Sequence, residues 1–198
     1  MEDTKQEVVR NFRMRSIRDA TSRVVSRHGV AGATIDAIAS EAGIAKGTIY
    51  LYFKSREELL NHAADYAVTE LMEQVQGVIG SSEPFDVQLR RFFRTVLTYF
   101  DEHGEFFRLY QAACTQQGGG RSVRYGSYLD RIREWVAGAM AAGQVRRLDV
   151  DRVTLVITES LSAVVRRRLL ETGPTLEDDA EWLASLYLHG LIPGKGTN

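Results

Sequence analysis

The sequence is poor in the residues on which disulfide-rich, metal-binding and loop-rich folds depend. One cysteine among 198 residues excludes an internal disulfide and a zinc site built on several cysteines. Only three prolines interrupt the chain, which favours long helices over a turn-rich β fold. The four histidines lie tens of residues apart, so none has the spacing of paired metal ligands on a helix. We therefore expect neither a metal nor a cofactor.

Long apolar runs and enzyme signatures are missing as well. No run approaches the ~18 residues that a membrane span needs. The first 15 residues mix acidic and basic side chains and lack the apolar stretch of a secretory signal. No phosphate-binding glycine loop or catalytic constellation is present, so the sequence does not indicate an enzyme. We expect a cytoplasmic protein without a membrane partner.

The apolar residues recur at helical spacing along nearly the whole chain. Glycines and prolines divide it into about nine predicted helices, with almost no strand signal. These lie at 8–28, 34–42, 45–52, 55–79, 84–102, 105–117, 121–142, 151–172 and 175–189. The sequence thus predicts an all-α fold: a three-helix head at residues 1–54 and a helical C-terminal domain at 55–198.

Charge is unevenly distributed although the net charge is −1. Residues 1–56 carry ten Lys or Arg against six Asp or Glu, whereas the remaining residues carry fifteen against twenty. A basic N-terminal segment on an acidic remainder indicates binding to a polyanion, with ordinary charge scatter as the alternative.

Residues 34–53, TIDAIASEAGIAKGTIYLYF, carry the most specific local pattern. Thr34 suits a helix N-cap, Ala39 is small where two helices would cross, and Gly43 can adopt the positive φ of a tight turn. Isoleucines at 35, 38, 44 and 49 supply apolar contacts between two short helices. Helices joined in this way form a helix-turn-helix, whose second helix reads DNA.

The outer face of that second helix suits contact with DNA. Lys46 can reach a guanine edge or a phosphate, and Thr48 offers a hydroxyl and a methyl group to base edges. Gly47 lets the backbone approach the duplex, while tyrosines and Lys54 can reach phosphate oxygens. The predicted DNA-binding residues are Thr34, Ala45, Lys46, Gly47, Thr48, Tyr50, Tyr52 and Lys54.

This segment resembles the DNA-binding head of the TetR-type (tetracycline-repressor-like) transcriptional regulators. The resemblance covers roughly 45 residues, with Tyr52 and Arg56 standing where the family often has histidine and lysine. It implies a dimeric regulator whose divergent C-terminal domain binds a small-molecule effector. The matching residues are Ile17, His28-Gly29, Thr34, Ile38-Ala39, Glu41-Ala42-Gly43, Lys46 to Tyr50, Tyr52 to Lys54 and Glu57 to Leu60.

The C-terminal domain is rich in aromatic residues at helical spacing. Such residues suit the lining of a mostly apolar small-molecule pocket, and the alternative is that they fill the core. The candidate pocket residues are Phe93, Val96, Phe100, Phe107, Tyr110, Tyr128 and Trp135.

The resemblance also implies that the last two long helices pair with those of a second subunit in a four-helix bundle. The core of a single subunit is the alternative role for their apolar residues. The candidate interface residues are Ile157, Leu161, Val164, Trp182 and Leu186. We interpret the run Arg166-Arg167-Arg168 as solvated surface, with a patch that binds nucleic acid as the alternative.

The predicted function is a ligand-responsive regulator of transcription. We expect a repressor that binds a palindromic operator as a homodimer, with half-sites about one helical turn or roughly 34–36 Å apart, or a multiple of this. A small, mostly apolar effector would release it. The alternatives are an activator or a ligand-independent regulator and, more remotely, a helical carrier or enzyme without DNA binding.

Overall fold

A computed structural model describes residues 2–109, 123–170 and 176–191, with side chains at 6–109, 126–169 and 178–189. All regular structure in these ranges is helical, which confirms the all-α prediction. The helices are α1 (Glu2–Gly32), α2 (Ile35–Ala42), α3 (Lys46–Tyr50), α4 (Arg56–Ile79), α5 (Phe85–Glu102), α6 (104–109 as described), α7 (Val123–Ala141), α8 (Val150–Leu170) and α9 (Leu176–Leu191). None of these helices is both long and apolar enough to cross a membrane.

Most helix ends agree with the sequence, and α1 differs most. It begins at Glu2 rather than at residue 8. The predicted stop at Gly29 is a break inside α1, where φ is 69° and ψ is 174°, and one further turn follows it. Only glycine adopts this conformation without strain. The predicted part of α6 beyond residue 109 lies outside the described residues.

The chain divides into two compact units, and the division falls inside α4. The described part of the first unit is residues 2–67 and 103–109. That of the second is residues 68–102, 123–170 and 176–191. The sequence-derived boundary after residue 54 instead assigns the whole of α4 to the C-terminal domain.

The first unit packs α1 to α4 around an aliphatic core. The spacing of Ile17, Ala20 and Val24 on α1 places all three on the buried face, as their helical period predicts. Ile38 and Ile49 are fully buried, so α2 and α3 share one core. This packing fixes the orientation of the short helix α3, which has too few residues to be stable alone.

The second unit has an aromatic core that contains a buried polar network. Phe92 and Phe93 on α5 are fully buried. The indole Nε1 of Trp135 donates a hydrogen bond to Oε1 of Gln88 at 2.5 Å. The Nε2 of Gln88 donates in turn to the carbonyl of Ser81 at 2.7 Å. These bonds satisfy two polar side chains that would otherwise be costly to bury.

The prediction that Arg166 to Arg168 form a solvated surface is wrong for Arg168, whose side chain is only 15% exposed, and holds only in part for Arg167, at 38%. Arg168 donates to both carboxylate oxygens of Asp101 at 3.0 and 2.7 Å, and to Asp179 at 2.6 Å. Arg167 also donates to Asp179, which is only 4% exposed. These ion pairs connect α5, α8 and α9, and they raise the pKa of Arg168, chiefly through its hydrogen bonds to Asp101. Arg166 remains exposed.

Candidate nucleic-acid interface

The motif at residues 34–53 has the geometry of a helix-turn-helix. The Thr34 hydroxyl accepts a hydrogen bond from the backbone N–H of Ala37 at 3.1 Å and so caps α2. Gly43 ends α2 in the left-handed conformation, with φ 66° and ψ 33°. The next N–H, of Ile44, donates to the carbonyl of Ala39 at 3.0 Å and closes the turn. Thr34 and Gly43 therefore play the capping roles that their positions predict.

The inner face of α3 is fixed by packing. Ile49 is fully buried and Phe53 is 2% exposed. The ring of Phe53 packs edge-on against His62 of α4, with the ring centroids 5.3 Å apart. The opposite face of α3 is therefore the one that is free to contact another molecule.

The predicted DNA-binding residues lie on or beside this free face. Tyr50 is 51% exposed, while Thr48 and Tyr52 are half-buried. The others, Thr34, Ala45, Lys46, Gly47 and Lys54, are exposed. Their individual roles toward DNA stay predictions.

Lys46 is not a free cation in this structure. Its Nζ lies 2.8 Å from Oδ2 of Asp36, which stands in the first turn of α2. The hydrogen bond from Lys46 to this carboxylate raises the pKa of Lys46. The pair thus joins the first turns of α2 and α3 on the exposed surface.

A second ion-pair group connects α1 to α2. Glu41 accepts hydrogen bonds from Arg23 at 2.5 Å and from Arg27 at 2.8 Å. The hydrogen bond from Arg23 is the main reason that the pKa of Glu41 is lowered. The spacing of Arg23 and Arg27, four residues apart on one helix face, is the sequence signal that points to a shared partner.

Arg56 has a structural role that its sequence position did not reveal. Its Nε donates to the carbonyl of Ala33 at 2.8 Å, and its Nη2 donates to the carbonyl of Val30. Val30 lies in the last turn of α1 and Ala33 just beyond it, where the carbonyls lack the N–H partners of a continuing helix. Arg56 therefore fixes the start of α4 to the end of α1.

The start of α4 is capped by the chain's own side chains. The N–H of Glu58 donates to Oγ of Ser55 at 3.1 Å, which is one of the two bonds of a capping box. The Glu58 carboxylate accepts from the backbone N–H of Lys54 at 2.6 Å. That N–H is therefore occupied, and the exposed side chain of Lys54 is the part that remains available to a phosphate.

The candidate pocket residues differ in burial and in the unit to which they belong. In the second unit Phe93 and Val96 are buried, Trp135 packs against Phe85 and Phe92, and Phe100 is half-buried. Phe107 is buried in the first unit, and Tyr110 lies outside the described residues.

Tyr128 lines a cavity in the second unit. This open groove of ≈ 500 Å³ runs between α4 and α7. Its lining residues are Val68, Thr69, Met72, Glu73, Gln76, Ser127, Tyr128 and Arg131. The guanidinium of Arg131 donates to the side-chain oxygen of Gln76 across it. No group of His, Cys, Asp and Glu that could hold a metal occurs in the described parts of the chain.

The candidate interface residues on α8 and α9 differ in exposure. Ile157 and Leu161 are buried in the second unit's own core, at 0% and 3% exposure, and so present almost no surface to a partner. Val164 is half-buried. Trp182 and Leu186 on α9 are 59% and 54% exposed, and Val156 on α8 is 54% exposed.

The motif, its caps and its exposed second helix define a class: the helix-turn-helix DNA-binding proteins. Residues 17–63 match the family described as "Bacterial regulatory proteins, tetR family". The HTH-type transcriptional regulator YhgD of Bacillus subtilis is 26% identical over 182 residues, which cover 89% of this chain and 94% of YhgD. Other HTH-type regulators match over only 31% to 45% of their own length.

Solved structures extend the likeness to the whole fold. The fatty acid degradation regulator FadR from Bacillus halodurans gives a TM-score of 0.79 at 21% identity, covering 88% of this chain and 94% of that one. FadR from Bacillus subtilis, solved in complex with stearoyl-CoA, gives 0.72 at 20% identity, covering 88% and 97%. The chain is thus similar to tetR-family regulators in its helix-turn-helix segment, to an HTH-type transcriptional regulator over most of its length, and to solved regulators in its fold.

Proposed function

We propose that this protein is a cytoplasmic repressor that binds a palindromic operator as a homodimer and is released by a small, mostly apolar effector. The exposed face of α3, with Lys46, Gly47 and Tyr50 beside a buried Ile49, carries the proposal. A recognition helix enters the major groove with its N-terminal residues toward the base edges. Lys46 and Thr48 would then read bases, while Tyr50, Tyr52, Lys54 and Thr34 contact phosphates.

The groove between α4 and α7 supports the effector part of the proposal. Val68, Met72 and Tyr128 offer apolar surface, while Arg131 can meet an acidic group of a ligand. A related fold binds stearoyl-CoA in FadR from Bacillus subtilis, so acyl-CoA thioesters are the first class of effector to test.

Release requires that the effector prefers the form of the protein that does not bind DNA. A 100-fold preference corresponds to about 2.7 kcal/mol of coupling free energy. The continuous helix α4 carries both the groove residues Val68 to Gln76 and the capping residue Glu58, and it is the element through which we expect the coupling to act.

Selection of random duplex DNA on the purified protein at about 150 mM salt tests the proposal, because weak phosphate binding is suppressed at this salt concentration. We expect the selection to enrich a palindromic sequence. Stearoyl-CoA should then dissociate the protein from this DNA, with free coenzyme A as the matched control. Failure to enrich any sequence would contradict operator binding. If an operator is enriched but acyl-CoA of no chain length dissociates the protein from it, acyl-CoA thioesters are excluded as the effector class.

Reporter output from the enriched operator separates repressor from activator. Deletion of the protein should raise the output of the operator-linked gene. Lower output on deletion would favour the activator alternative, and output that no effector changes would favour a ligand-independent regulator.

The exposed apolar residues of α8 and α9 support the dimer. Trp182 and Leu186 stand one turn apart on α9, and the hydroxyl of Tyr187 holds α9 to the carbonyl of Val156 on α8 at 2.9 Å. Together with Val164, the exposed residues Val156, Trp182 and Leu186 form the proposed dimer face. A stable dimer needs about 800 Å² buried on each subunit, and apolar side chains commonly supply the centre.

Leu186→Glu tests this face, since a charge cannot be buried there without a partner. We expect a monomer in sedimentation experiments and loss of operator binding with the helical content unchanged. Leu148→Glu, at another exposed leucine (44% exposed), is the matched control and should stay dimeric. A dimeric Leu186→Glu variant would place the interface elsewhere.

A further inference from the structure

An exposed carboxylate lies on the proposed DNA-binding surface. Asp36 is the acidic residue in the first turn of α2, two residues after the cap Thr34. Its Oδ2 lies 2.8 Å from Nζ of Lys46, and their side chains are 71% and 49% exposed. Tyr50 follows Lys46 by one turn of α3 and shares its face. Asp36 is therefore a neighbour of the residues expected to meet the duplex.

The pair contributes little to the fold, because ion pairs between exposed side chains are screened by solvent. Its effect on DNA binding is larger. A phosphate that Lys46 reaches lies within the Debye length of about 8 Å from Asp36, so the carboxylate repels it. This repulsion weakens contacts with phosphates, which occur at every sequence.

A base edge can compensate for this repulsion where a phosphate cannot. Carboxylates are acceptors only, and in the major groove their matching donor is the N4 amino group of cytosine. In a DNA site with cytosine opposite Asp36, the N4 amino group would donate a hydrogen bond to the carboxylate. With another base at that position, the Asp36 carboxylate would lie near the phosphates without a hydrogen-bond donor.

We propose that Asp36 is a specificity-determining residue of the DNA interface, which weakens binding to arbitrary DNA more than binding to the operator. The inference rests on the proposed function, because it assumes that α3 docks on DNA. Asp36 acts through its own charge, and its contact with Lys46 is secondary.

Asp36→Asn keeps the shape of the side chain and removes the charge. We expect the affinity for random duplex DNA to rise by about fivefold, while the affinity for the selected operator stays level or falls. The ratio of the two affinities therefore drops by about fivefold or more. Repeated selection with the variant should also relax the requirement for cytosine at one position of each half-site.

Three further variants test whether the change in the affinity ratio is due to the charge of Asp36. Asp130→Asn removes an exposed carboxylate from α7 and should change both affinities by one common factor. Asp36→Glu keeps the charge and should retain weak binding to random DNA. In a Lys46→Gln background, Asp36→Asn should still lower the ratio. Circular dichroism should show the helical content of the wild type in each variant.

An unchanged ratio in Asp36→Asn, or a change equal to that of Asp130→Asn, would overturn the inference. Loss of the effect in the Lys46→Gln background would overturn it too, since Asp36 would then act only by holding Lys46. If the wild-type protein selects no sequence at all, the proposed function fails first. Selection of an operator that is insensitive to Asp36 contradicts this inference alone.

Discussion

Two groups of ion pairs, one in each unit of the molecule, differ sharply in burial. In the first unit the pairs Lys46–Asp36 and Arg23–Glu41 lie at the surface, and their lysine and arginine side chains are 48–49% exposed. In the second unit Arg168 and Asp179 pair with side-chain exposures of only 15% and 6%. Exposed pairs can exchange partners with DNA at little cost, whereas buried pairs hold helices together. The first arrangement suits a binding surface and the second a scaffold.

Removing the buried carboxylate should have the largest effect on stability. Asp179→Ala removes one carboxylate partner from both Arg168 and Arg167, while Arg168 keeps its pair with Asp101. We expect a loss of about 2 kcal/mol in the free energy of unfolding, measured by urea denaturation, because charge-assisted hydrogen bonds to both arginines are lost at a partly buried site. Asp130→Ala, at an exposed site on α7, should stay within about 0.5 kcal/mol of the wild type. Equal effects of the two variants would remove the contrast between the units.

Two glycines of the helix-turn-helix should respond oppositely to alanine. A Cβ would meet no atom within 4 Å at either Gly43 or Gly47, so neither position is restricted by space. Gly43 has a φ of 66°, and Gly43→Ala should destabilise the protein by about 1 kcal/mol through backbone strain. Gly47 lies inside α3, and Gly47→Ala should stabilise it by about 0.5–1 kcal/mol while weakening operator binding.

Thermal unfolding and operator titration together check these two variants. A destabilised Gly47→Ala variant would indicate that α3 is not helical at this position. Undiminished operator binding by Gly47→Ala would show that the duplex does not approach the backbone there.

The smallest effect is the pH dependence of the exposed Glu41 pair. The pKa of Glu41 is lowered in the folded protein, mainly by its hydrogen bond from Arg23. Its contribution to stability is therefore complete above the unfolded pKa and is lost as pH falls through the folded value. The difference in unfolding free energy between the wild type and Glu41→Gln should shrink as pH falls from about 7 to about 4. In an Arg23→Gln background this dependence should flatten, and a difference that grows at low pH would contradict the assignment.

The helices and the helix-turn-helix could be predicted from the amino-acid sequence, because their signals are local. Thr34 caps α2, Gly43 turns the chain, and Ser55 with Glu58 starts α4, each through contacts with residues a few positions away. The period of the apolar residues placed Ile38 and Ile49 in the core for the same reason.

The partners of hydrogen bonds and ion pairs between residues distant in the sequence depend on the tertiary structure. Arg168 meets Asp101 across 67 residues of sequence, and Arg56 meets the carbonyl of Ala33 across 23. The burial of Ile157 beside the exposed Val156 likewise depends on how α8 packs in its own unit. Helical spacing identifies an apolar face but not what covers it, since that depends on helices distant in the sequence.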